Sequence, residues 1–131
     1  MGKIERFEDI ECWKKARELT SLVYAARSEG KFARDYGLRD QLRRASVSIL
    51  SNIAEGFERD GDKEFLQFLA LAKGSCGEVR AQLYVALDQH YITDEEFKSL
   101  RERAIEISRM ISGLMNYLRQ SEMRGRKYRE T

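Results

Sequence analysis

Proline is absent from the 131 residues, histidine occurs once and cysteine twice. Without proline, no position is obliged to break a helix by losing an N–H donor and clashing with the preceding turn. The lone histidine, His90, has no glutamate three residues before it, which excludes the Glu-x-x-His ligand pairs of di-iron bundles. No arginine lies four to six residues before it either, so the arginine–histidine pair of helical ribonucleases is missing. Cys12 and Cys76 are far apart, show no Cys-x-x-Cys spacing and fall among apolar residues, so buried free thiols are expected. Walker and dinucleotide glycine patterns are missing too, because Gly74-Ser75-Cys76-Gly77 lies inside a helical pattern and not between a strand and a helix. No run approaches the roughly 20 apolar residues of a membrane-spanning helix, and the first nine residues hold no apolar leader segment. The expectation is a cytoplasmic protein with no cofactor, no metal, no membrane contact and no enzymatic activity.

What is present is helical periodicity. Charged residues make up 35% and apolar ones 42%, with a net charge of +2, which fits one globular domain with a single core. The clearest helix spans about 94–121, where Phe97, Leu100, Ala104, Ile107, Ile111, Leu114 and Leu118 keep heptad spacing. Thr93 and Glu96 form a capping box at its start. A helix at about 63–90 carries Phe65, Leu69, Ala72, Cys76, Val79, Leu83 and Ala86 on one edge, with Asp62 as its cap. Another at about 38–57 carries Leu38, Leu42, Ala45, Ile49 and Ile53. The first, at about 9–29, carries Trp13, Ala16, Thr20 and Val23, and Gly30 suits its stop. Short connections make neighbours antiparallel. The fold class is therefore all-α, an up-down-up-down antiparallel four-helix bundle over residues 1–121, followed by a basic, flexible tail at 122–131.

A second line of residues points outward. Gly74 and Gly77 lie off the seam of the third helix, and a glycine in a helix interior costs about 1 kcal/mol relative to alanine. They continue a run of small or apolar residues, Ala70, Gly74, Gly77, Ala81 and Tyr84, and the second helix has a similar line in Val47, Leu50, Ala54 and Phe57. Helices that are apolar on two faces usually bury both, which predicts packing against further copies. The alternative is one wide bundle face covered by the first helix and by Lys and Arg stems.

Several motifs resemble a known family. Phe7-Glu8-Asp9-Ile10-Glu11-Cys12-Trp13-Lys14-Lys15-Ala16, then Gln41-Leu42-Arg43-Arg44-Ala45, Ser48-Ile49, Asn52-Ile53-Ala54-Glu55-Gly56, and Ala72-Lys73-Gly74-Ser75 with Glu78 are similar to the 23S rRNA intervening-sequence proteins. The resemblance reaches to about Leu118. It implies a cytosolic bacterial four-helix bundle that forms a ring-shaped homopentamer. In fold the family is similar to the accessory variability determinant of diversity-generating retroelements, a basic pentamer that binds nucleic acid and a reverse transcriptase. One departure is Phe32-Ala33, where the family often has Phe-Pro.

Candidate functional residues fall into two groups. Asn52, Glu55, Gly56 and Glu78 read as a polar clasp fixing helix register or subunit contact, with Gly56 closing its helix or allowing near approach. The basic clusters are Arg39, Arg43 and Arg44 on the second helix, Lys14, Lys15 and Arg17 on the first, and Arg119, Arg124, Arg126, Lys127 and Arg129 at the C-terminal end. Cations can track a phosphate backbone, though helix faces rich in Lys and Arg are also common as plain solvated surface. Two functions follow as expectations: an oligomeric accessory factor that binds RNA or DNA, or a scaffold for a protein partner such as a reverse transcriptase or ribosomal component.

Overall fold

The computed structural model describes residues 4–26 and 30–130, with side chains as far as Ser121. Among the described residues all regular structure is helical: a 3-10 turn at Phe7–Asp9, then α1 (Glu11–Ala25), α2 (Gly30–Arg34), α3 (Tyr36–Glu58), α4 (Asp62–Asp88) and α5 (Asp94–Glu130). The long helices form a bundle in which α3 packs against α1 and α4, and α5 packs against α1 and α4. The short α2, which sequence periodicity does not reveal, folds back onto α3 and inserts fully buried Phe32.

The core follows the apolar spacing. All seven edge residues of α4 are buried, as are Leu42, Ala45, Ile49 and Ile53 of α3 and Leu100, Ala104, Ile107, Ile111 and Leu118 of α5. On α1 the buried line is Cys12, Ala16, Leu19 and Val23, so the expected Trp13 and Thr20 sit on its flank. Trp13 instead meets Phe7 edge-on at 5.2 Å. The Thr20 hydroxyl donates to the Ala16 carbonyl at 2.8 Å and lies 3.3 Å from the Ser46 carbonyl of α3. A threonine that can satisfy its hydroxyl on a helix flank has no reason to enter the core.

Helix ends show where the sequence reading needs correction. The capping box is present, with Thr93 N–H donating to Glu96 Oε1 at 3.0 Å and Glu96 N–H to Thr93 Oγ1 at 3.1 Å. Asp35, not expected as a cap, accepts from Leu38 N–H at 3.1 Å and so starts α3. Gly30 does not stop α1, which is capped at Ala26; it opens α2 with φ +80°. Asp62 is the first residue of α4, not its cap, and its carboxylate suits the unpaired N–H groups there. His90 lies just past α4 with φ +60°, and the bonds Tyr91 N–H to Ala86 O and His90 N–H to Leu87 O, both 2.9 Å, close the helix as a Schellman motif. The last helix does not end near 121 but continues to Glu130. Apolar periodicity ceases after Leu118, yet Glu, Met, Arg and Lys keep good helix propensity and no proline intervenes.

Cys12 and Cys76 are both buried and free. Burial pushes the Cys12 thiol up to about 11 and the Cys76 thiol up to about 12. Both stay protonated in the fold after an unfolded chain would have lost the proton, so the folded state binds more protons above about pH 8.5. Their contribution is complete below that pH and is lost as pH rises through the folded values. Each thiol then takes away about 1.4 kcal/mol per pH unit. Urea unfolding at pH 8 and pH 10.5 should show a steeper loss for this protein than for a Cys12→Ala/Cys76→Ala variant. Equal losses would contradict burial of the thiols.

Candidate nucleic-acid interface

The corner where α1 ends, α2 turns and α3 begins gathers cations and aromatic rings. Between residues 30 and 44 there are five cations, Lys31, Arg34, Arg39, Arg43 and Arg44, against Asp35 and Asp40. Arg39 and Arg43 stand one turn apart on α3, a rise of about 6 Å. The Arg39 guanidinium lies over the Tyr36 ring at 4.8 Å and donates from Nη1 to the Ala33 carbonyl at 2.9 Å. The Arg43 guanidinium lies over the Tyr24 ring at 4.6 Å and donates from Nη2 to the Tyr24 carbonyl at 3.3 Å. Both tyrosines are open to solvent, Tyr24 at 46% and Tyr36 at 63%. Arg44, Lys31 and Arg34 are exposed, and Lys31 and Arg34 line one surface depression with Tyr36.

This corner is held rigidly from inside. The Tyr91 hydroxyl donates to Asp35 Oδ2 at 3.0 Å while Asp35 Oδ1 caps α3, and the Tyr91 ring stacks on Phe32 at 5.5 Å. The hydrogen bond to Asp35 holds the Tyr91 proton and raises its pKa above the ordinary phenol value. Neither tyrosine at this corner is a sequence-level candidate. Tyr36 has a readable signal, since it precedes Arg39 by three residues on one helix face. Tyr24 reaches Arg43 across 19 residues, and only the fold brings them together.

The other basic clusters are more occupied. On α1, Lys14 pairs with Glu11 at 3.2 Å, Lys15 with Glu18 at 3.9 Å, and Arg17 lies 5.9 Å from the Trp13 ring centroid. Glu18 also meets Arg103 of α5 at 3.8 Å, so acids interleave with these cations. Arg119 is exposed and lies 3.5 Å from Asn116 Oδ1. The side chains of Arg124, Arg126, Lys127 and Arg129 lie outside the described residues.

The proposed clasp resolves differently. Glu55 is exposed and pairs with Arg59 at 3.0 Å, and Glu78 is exposed, so neither joins Asn52. The polar link between α3 and α4 is instead Ser48 Oγ to Ser75 Oγ at 2.9 Å, with Asn52 Nδ2 donating to Ser48 O at 2.8 Å and Ser48 Oγ at 3.0 Å. Serine is small enough to sit between packed helices and satisfy its hydroxyl there, whereas a carboxylate placed the same way loses its hydration. Of the two roles open to Gly56, near approach is the one the geometry has: a Cβ there would lie 2.6 Å from Phe68 Cβ.

The two outward lines also differ. Val47, Leu50, Ala54 and Phe57 are half-buried, with Leu50 and Phe57 packed on the core and Phe57 edge-on to Phe65 at 5.9 Å. These α3 residues are covered largely within the chain. On α4, by contrast, Ala70, Gly74, Gly77, Ala81 and Tyr84 are exposed, and Cβ atoms added at Gly74 and Gly77 would meet nothing within 4 Å. Leu71 and Val85, exposed at 58% and 47%, widen that apolar face.

Among the described residues no cluster of His, Cys, Asp and Glu is arranged to hold a metal, and no helix is long and apolar enough to cross a membrane. Fold and surface together define an all-helical bundle protein with a basic, tyrosine-lined corner and an uncovered apolar helix face. The chain belongs to the 23S rRNA-intervening sequence protein family, whose model matches residues 8–113. It is also similar to a structure solved at 1.70 Å of a protein of unknown function from the S23 ribosomal protein family of Bacteroides thetaiotaomicron. The two are 21% identical with a TM-score of 0.72, over 79% of this chain and 97% of that one, a likeness of fold. No curated protein matches the chain.

Proposed function

We propose that this chain is a non-enzymatic, cytoplasmic accessory protein. It forms an up-down-up-down antiparallel four-helix unit that assembles with copies of itself into a ring, five by family resemblance, and binds RNA or DNA at the corner of α1, α2 and α3. The observation that carries this is the excess of cations over acids between residues 30 and 44, on a corner fixed by Asp35 and Tyr91. A chain of net charge +2 is a weak polyelectrolyte ligand alone. Repetition around a ring raises the effective concentration of each corner and multiplies the contact. The C-terminal cations Arg119, Arg124, Arg126, Lys127 and Arg129 are a separate candidate contact, because Leu118 and Ser121 lie beside Phe57 and Asp62, at the other end of α3 from Tyr36.

A salt titration tests it. The logarithm of the affinity for an RNA or DNA oligonucleotide should fall linearly with the logarithm of salt concentration. Arg34→Ala and Arg44→Ala, both exposed, should each lower that slope by about 1. Absence of any retention near 50 mM salt, on the order of the low end of such titrations, would refute nucleic-acid binding. The exposed α4 face would then favour the second reading, a scaffold that holds a protein partner such as a reverse transcriptase or ribosomal component.

A further inference from the structure

From the paired arginine and tyrosine side chains we infer that the corner of α1, α2 and α3 takes single-stranded nucleic acid, stacking bases on Tyr24 and Tyr36. The inference rests on the nucleic-acid reading above and names the form of the ligand. A surface that only neutralises phosphates leaves its arginine forks free in solvent. Arg39 and Arg43 are arranged otherwise. Each guanidinium carbon stands over a tyrosine ring, 4.8 Å and 4.6 Å from its centroid, and each fork is tied by a hydrogen bond to a backbone carbonyl.

That arrangement fixes the plane of each phenol before any ligand arrives. Both residues stay open to solvent despite the arginine contact, Tyr36 at 63% and Tyr24 at 46%. Two flat aromatic platforms of set orientation, carried by arginines one turn apart, match unpaired bases, which present a π-face whatever their identity. A duplex keeps its base faces stacked on one another and shows these rings only backbone and base edges, with no open π-face except at its ends. Lys31 and Arg34 line one surface depression with Tyr36 and offer charge to the backbone of a strand stacked there. The chemistry predicts little preference among bases and no requirement for the 2′-hydroxyl, so RNA and DNA strands of one sequence serve equally.

The test is fluorescence anisotropy on the full chain near 50 mM salt, a low-salt condition on the order of those in which phosphate contacts dominate. The probes are an unstructured single-stranded RNA, the DNA strand of the same sequence, and the blunt duplex. Both single strands should bind at least about tenfold more tightly than the duplex. Tyr24→Ala and Tyr36→Ala should each weaken single-strand binding about tenfold, the low to middle range for losing one stacked base. They should leave helicity and the salt slope unchanged, while Tyr24→Phe and Tyr36→Phe retain binding. Equal affinity for strand and duplex, or alanine variants that bind like the parent, would overturn the inference and leave phosphate binding standing. Failure to retain any of the three probes would overturn both.

Discussion

Gly56→Ala should lower the stability of the protein by about 1–3 kcal/mol, the range for inserting a methyl group into a packed contact. The added Cβ would stand 2.6 Å from Phe68 Cβ and 3.1 Å from Phe65 Cδ1. Phe68 Cβ is anchored to the α4 backbone, so no rotamer change relieves the contact and α3 must move away from α4. The gain of about 1 kcal/mol in helix propensity returns only part of that cost. Leucine at the same place should prevent folding, since typical stabilities are only about 5–15 kcal/mol. Gly113→Ala in α5 is the internal control. Nothing lies within 4 Å of a Cβ there, so it should be neutral or stabilising by up to about 1 kcal/mol. Urea denaturation of the two variants decides the matter, and a Gly56→Ala protein as stable as the parent would show that the helices do not approach so closely.

The second large effect concerns mass in solution. If the α4 face is the contact between copies, Gly77→Leu and Gly74→Leu should convert the assembly into smaller species, down to the 15.3 kDa chain. Within one chain both positions open into empty space, so these leucines should leave helical content and the unfolding midpoint of the single chain intact. That separation makes the experiment informative. Multi-angle light scattering at micromolar protein should show the parent as a multiple of one chain and the variants as lighter particles. A parent that runs as one chain, or variants of unchanged mass, would remove self-association through α4.

Much of the fold is legible in the sequence, and the reason is periodicity. Seven buried apolar positions on α4 and six on α5 follow three-four spacing, with Met115 buried where the heptad points to Leu114, and the Thr93 and Glu96 pair marks a helix start through chemistry local in the chain. On α1 the signal is weaker because Trp13 and Thr20 are ambivalent: each joins an apolar body to a polar group and ends on the helix flank, where Thr20 satisfies its hydroxyl. The short α2 is too brief to show a period. Of the candidate site, the arginine run on α3 is legible because its members lie within one turn or so of each other. Tyr24 and the Ser48–Ser75 contact are not, since each depends on which helices become neighbours. Glu55 and Glu78 look like clasp residues by position, but both carboxylates keep their hydration at the surface.

The two thiols sealed in the core leave the exterior of the molecule chemically blank toward maleimides. A single cysteine introduced at an exposed position such as Ser51 would then be the one site to accept a fluorophore or spin label, with Cys12 and Cys76 retained. Distances between labelled copies in the proposed assembly, and any change on adding an oligonucleotide, become testable on an otherwise native chain.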